Sequence, residues 1–172
     1  MQAFEVAVKE LSLKSTDHVL IAGILPTWHE ISIVVNHLDP TKGLLICLDV
    51  TPSRVEHLQH VIDQCGVLGK VIAQQGAIDV LYGAIVAEES VDALVYVPHS
   101  HDDIETAVSE IKRILKSKGI FAVIEKTPAH PLTQGIVKHS PSAVFTTAGF
   151  SCVKTTHVDK HHTVFLFKVS HS

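Results

Sequence analysis

Short, nearly uninterrupted apolar runs alternate along this chain with longer segments whose apolar residues recur every three or four positions. The runs fall at 18–23, 44–49, 70–73, 91–97 and 119–125. They are rich in Val, Ile and Leu and do not alternate with polar residues. That is the pattern of strands covered on both faces. Between them, 102–117 places Ile104, Ala107, Val108, Ile111, Ile114 and Leu115 on one helical face. Asp102 and Asp103 open that segment and Lys112, Arg113, Lys116 and Lys118 close it, in the sense the helix dipole favours. Gly119 stands where a left-handed C-cap is expected.

A second helix follows Asp49, with Thr51 as N-cap, Pro52 as first residue, Val55, Leu58, Ile62 and Cys65 on the apolar face, and Gly66 as stop. Other helical stretches are expected at 30–38, closed by Asp39 and Pro40, around Ile78, Leu81, Tyr82 and Ile85, and loosely over 133–148. That last stretch is interrupted by Pro141 and closed by Gly149. The C-terminal part changes character. Segments 151–158 and 163–169 read as strands joined by four residues, a link that permits only an antiparallel hairpin. Strand and helix in alternation predict an α/β fold: a Rossmann-like three-layer sandwich around a mostly parallel seven-stranded sheet with a C-terminal antiparallel hairpin. Residues 1–172 are expected to form a single domain.

Composition narrows the function classes. The chain has 172 residues, 46% of them apolar and 19% charged, enough apolar material for a substantial core. A net charge of −4 with no Lys/Arg cluster argues against nucleic-acid binding. No apolar run is long enough to cross a bilayer, and 1–10 lacks the layout of a signal peptide, so a cytoplasmic location is expected. Cys47, Cys65 and Cys152 are widely spaced and expected to be buried free thiols. The 13 histidines would carry the net charge from −4 to +9 if all were protonated.

In an open parallel sheet, ligands bind beyond the carboxyl ends of the strands, where strand order reverses. That rule selects 23–30, 49–53, 74–78, 98–103 and 125–131. Asp49 can accept two ribose hydroxyls; it can equally be an acid at a helix entry. His99 and His101 have the intrinsic pKa of a general base, with Asp102 or Asp103 available to orient them. Alternatively they are solvated loop residues above an Asp102 cap. Two imidazoles at i, i+2 without a third ligand make a poor metal site, so no metal is expected. His157, His161 and His162 read as a polar surface turn.

The order of elements, with its terminal hairpin, resembles the class I S-adenosylmethionine-dependent methyltransferases. VLIAG at 19–23 resembles their first strand with its leading glycine. LICLD at 45–49 resembles the second strand with its ribose-binding acid. EIKRILKSKG at 110–119 is similar to the helix and turn before the fifth strand, and AGF at 148–150 to the turn entering the hairpin. The resemblance spans almost the whole chain. It implies S-adenosylmethionine as cofactor, with Gly23 and Asp49 binding it, Gly76 and Ala77 beside the adenine, and His99 and His101 near a small-molecule acceptor.

Two departures stand against it. Gly23 is followed by ILPTWH, with none of the further glycines that let the family's backbone approach the amino-acid end of the cofactor. The stretch 74–78 has no acid to read the adenine amino group, although Asp79 is near. Trp28 is either a lid, an adenine-side aromatic or a plug in a vacated pocket. The reading is therefore methyl transfer to a small molecule. The alternative is a catalytically inactive methyltransferase-like scaffold that has lost its cofactor. A homo-oligomer or a protein partner fits either. A nicotinamide-dependent dehydrogenase is disfavoured because the glycine fingerprint is missing.

Overall fold

A computed structural model of the chain describes residues 2–23, 26–67, 70–81, 86–99, 102–126 and 141–170. The elements in chain order are α1 (Gln2–Leu11), β1 (His18–Ala22), α2 (Trp28–Val35), β2 (Leu44–Asp49), α3 (Pro52–Gln64), β3 (Val71–Gln75), a single 3-10 turn at Ile78–Val80, β4 (Val91–Tyr96), α4 (Ile104–Ile114), β5 (Leu115–Lys126), α5 (Pro141–Thr147), β6 (Phe150–His157) and β7 (His162–Val169). The strands form one seven-stranded sheet in the order β3-β2-β1-β4-β5-β7-β6. β1, β2, β3, β4 and β5 pair in parallel; β7 runs antiparallel to both β5 and β6.

The apolar runs are continuous because both faces of the sheet are covered. Along β1, Val19 and Ile21 enter one core cluster and Leu20 and Ala22 the other. β4 divides the same way, with Ala93 and Val95 on one side and Leu94 and Tyr96 on the other. The first cluster lies against α1, α2 and α3, where Phe4, Ile31, Val34, Leu58 and Ile62 are buried. The second lies against α4 and α5, and Phe121, Phe145, Phe150 and Phe167 form an aromatic group within it. Pleating sends successive side chains to opposite faces, so a strand with two covered faces has no polar positions to spare.

Several expectations are corrected. Residues 2–11 form a helix that was not anticipated; Ala3, Phe4, Ala7, Val8 and Leu11 are its buried stripe. α2 begins at Trp28, two residues early, because Thr27 and Glu30 form a capping box in which Glu30 Oε2 accepts the Thr27 N–H at 2.8 Å. α4 stops at Ile114, and Leu115 already belongs to β5, pairing with Val91. Gly119 is therefore a strand residue and does not have the positive φ of a C-cap; Gly66 and Gly149 do, at +69° and +90°. The helix expected around 78–85 is a 3-10 turn at its start, while Tyr82 and Ile85 lie outside the described residues. Of 133–148, only the part from Pro141 is described, and the helix begins there. Cys47 is buried, but Cys65 and Cys152 are exposed. No helix among the described residues is long and apolar enough to cross a membrane.

Candidate functional site

The strand order reverses between β1 and β4, since β1 leads outward to β2 and β4 to β5. A cleft of about 430 Å³ opens at the carboxyl ends of these strands. That volume falls in the usual range of roughly 300–1,000 Å³ for small-molecule sites. Gly23, Asp49, Gly76, Ala77 and His99 all line it, together with Arg54, Asp79, Tyr96 and Asp102. Five of the residues singled out in the sequence thus meet in one place. The sixth, His101, lies outside the described residues.

Asp49 ends β2 and is 8% exposed. Its Oδ1 accepts the Thr51 N–H at 2.7 Å, and its backbone carbonyl accepts the Gly76 N–H at 3.0 Å. The second bond ties the ends of β2 and β3 together and presents Gly76 and Ala77 beside the carboxylate. Oδ2 faces Arg54 Nη1 at 3.6 Å, too long for a hydrogen bond. A carboxylate has about four acceptor positions, so Asp49 retains capacity for a ligand's hydroxyls. Thr51 occupies the N-cap of α3 as expected and Pro52 its first turn, but the Thr51 hydroxyl makes no cap bond.

Gly23 has φ +86°. A Cβ there would stand 1.9 Å from the Val97 carbonyl oxygen, so β1 and β4 leave no room for a side chain. The Val97 N–H donates to the Ala22 carbonyl at 3.0 Å and sets that approach. The fold itself demands this glycine.

The floor under β4 is a polar group on an apolar wall. Tyr96 is fully buried, and its hydroxyl donates to Asp102 Oδ2 at 2.6 Å. The same oxygen accepts the His99 N–H at 2.8 Å, and the His99 carbonyl accepts the Asp102 N–H at 3.1 Å. Burial, and then the bond to Asp102, push the Tyr96 phenol far above its ordinary pKa. Asp102 thus holds the His99 backbone rather than orienting its imidazole, and the cap of α4 is Asp103, which binds Thr106. The Asp103 N–H in turn donates to Asp79 Oδ2 at 3.0 Å, which fixes a third acid at the cleft. His99 is exposed at the rim.

Trp28 lies elsewhere. It is 38% exposed and lines a neighbouring hollow between α2 and α3 with Ser53, Arg54 and His57, so it does not plug the cleft. Tyr96 and Arg54 were missed in the sequence. Tyr96 was hidden inside an apolar run, and its one signal was a hydroxyl at the carboxyl end of a buried strand. A larger hollow of about 490 Å³ runs along the sides of α4 and α5, remote from the convergent polar groups. Among the described residues, no three His, Cys, Asp or Glu side chains are grouped to hold a metal ion.

Comparison by sequence finds no matching family model and no matching curated protein. Solved structures do match. A SAM-dependent methyltransferase from Aquifex aeolicus aligns with TM-score 0.74 and 16% identity, over 96% of this chain and 92% of that one. A geranyl diphosphate methyltransferase in complex with SAM aligns with TM-score 0.76 and 10% identity, over 96% and 83%. The [4+2]-cyclase SpnF aligns with TM-score 0.79 and 12% identity, over 98% and 81%. The cyclase shows that one architecture carries differently named reactions. At these identities the likeness is one of architecture, and with the 3-2-1-4-5-7-6 strand order it gives this chain the fold of the class I methyltransferases.

Proposed function

We propose that this chain transfers a methyl group from S-adenosylmethionine to a small-molecule acceptor at the cleft beyond β1, β2 and β4. The observation that carries this reading is Asp49: a nearly buried carboxylate, held by the Thr51 amide, with unspent acceptor capacity facing the cleft. In this reading Asp49 accepts the two ribose hydroxyls. Gly76 and Ala77 flank the purine, and Leu48 and Ile78 supply apolar surface beneath it. Asp49, Asp79 and Asp102 outnumber Arg54 around the cleft and favour a cationic ligand. The cofactor supplies a methyl group on a positively charged sulfur.

The chain's part in the reaction is positioning. Tyr96 and Asp102 hold the segment that carries His99. In this reading the His99 imidazole, exposed at the rim of the cleft, takes the proton from an acceptor oxygen or nitrogen as methyl transfer proceeds. His101 is assigned the same task by the sequence. Fold likeness to the Aquifex and geranyl diphosphate enzymes supports methyl transfer as the reaction class. The test is calorimetric binding of S-adenosylmethionine and S-adenosylhomocysteine to the wild type and to Asp49→Ala.

A further inference from the structure

A cation stands beside the Oδ2 oxygen of Asp49. Arg54 Nη1 stands 3.6 Å from Asp49 Oδ2, with its side chain 59% exposed. Its backbone N–H donates to the Thr51 carbonyl at 3.1 Å, but its guanidinium makes no hydrogen bond with any described residue. Arg54 lines two cavities at once, the cleft at Asp49 and the hollow of about 480 Å³ between α2 and α3. That hollow also presents the Ser53 hydroxyl, the His57 imidazole and the Trp28 indole above an apolar floor at Leu58. Arg54 and His57 are three apart on α3 and so share a face.

We propose that this hollow is an anion subsite continuous with the ribose position, and that it takes the 2′- or 3′-phosphate of a phosphorylated adenosine. The proposal rests on the reading of Asp49 as ribose acceptor. Hydroxyls bound at Asp49 Oδ2 lie beside Arg54, because both contact the same oxygen. A group carried on those hydroxyls leaves the cleft toward Arg54, Ser53 and His57. A guanidinium binds phosphate through two parallel N–H donors, and a hydroxyl and an imidazole add further donors. Arg54 also offsets the repulsion between that phosphate and Asp49. The segment that follows Gly23 without further glycines lines this hollow through Pro26, Thr27 and Trp28, opposite the Ser53, Arg54 and His57 donors of α3.

The experiment titrates the purified protein with adenosine, its 2′-, 3′- and 5′-monophosphates, S-adenosylhomocysteine and inorganic phosphate. Calorimetry and the fluorescence of Trp28, the chain's single tryptophan, follow binding. The 2′- or 3′-monophosphate is expected to bind at least about tenfold more tightly than adenosine. That advantage should shrink with added salt and disappear in Arg54→Gln, whose fold is checked by its melting curve. The 5′-monophosphate should gain nothing that depends on Arg54. Equal affinities for adenosine and all its monophosphates overturn the proposal, as does an advantage that survives Arg54→Gln. Inorganic phosphate binding as tightly as the nucleotides would show a free anion site and overturn it too. If S-adenosylhomocysteine binds through Asp49 and the phosphates add nothing, the subsite alone fails. If no adenosine compound binds, the ribose reading falls and the subsite with it.

Discussion

The Tyr96 hydroxyl donates a 2.6 Å hydrogen bond to Asp102, which reaches from the end of β4 to the entry of α4. The phenol is buried in the aromatic core while its oxygen lies at the cleft. One residue therefore couples the packing of the sheet to the shape of the site. Tyr96→Phe removes the bond and keeps the ring. A hydrogen bond to a charged group contributes about 1.5–3 kcal/mol, and the variant should lose stability of that order in urea unfolding. His99 should become more mobile, because Asp102 would be held only by backbone contacts.

Tyr96 also sets an alkaline limit. Its folded-state pKa is raised by burial and by Asp102, so the native protein retains the phenolic proton where the unfolded chain releases it. The corresponding stability is fully present below the ordinary tyrosine pKa of about 10 and declines as pH rises beyond it. In a Tyr82→Phe background, phenolate absorbance should rise only together with loss of far-ultraviolet circular dichroism. Phenolate appearing in the folded protein near pH 10 would contradict the assignment.

Gly23→Ala should be destabilising by about 3 kcal/mol or more, measured without any ligand present. The cause is a Cβ driven against the Val97 carbonyl and a φ of +86°. Unchanged stability would mean that β1 and β4 can part at this point. The glycine was read in the sequence as a cofactor residue; the structure shows a backbone contact that demands it whether or not a ligand binds.

The thiols should divide two and one. Cys65 and Cys152 are exposed, while Cys47 is fully buried in β2, where desolvation pushes its pKa up. An aromatic disulfide reagent should titrate two thiols in the native protein and a third only after denaturation. Rapid reaction of all three would contradict the packing of β2 against α3.

The sheet was legible because a strand with both faces covered must be apolar throughout, as at 18–23 and 91–97. Element ends were less so. Leu115 satisfies the helical stripe of α4 equally well, and only its pairing with Val91 assigns it to β5. α1 carries an ordinary amphipathic pattern in Ala3, Phe4, Ala7, Val8 and Leu11, but it is only ten residues long and precedes the first strand, outside the strand–helix alternation that marks the other elements. At the site, the strand-end rule found Asp49, Gly76 and His99 by position. It could not find what a side chain does after it turns a corner. Asp102 and Asp103 are adjacent and chemically identical, yet one binds Tyr96 and the other caps α4. Arg54 looked like an exposed helix residue, and only the distance to Asp49 marks it.

The central claim, that Asp49 receives a ribose, is tested most directly by calorimetric titration of S-adenosylmethionine and S-adenosylhomocysteine into the wild type and Asp49→Ala. The account predicts micromolar binding that the substitution weakens by about 1.5–3 kcal/mol, roughly 10- to 150-fold. No binding at millimolar concentration, or binding indifferent to Asp49→Ala, would contradict it and leave the inactive-scaffold reading in its place.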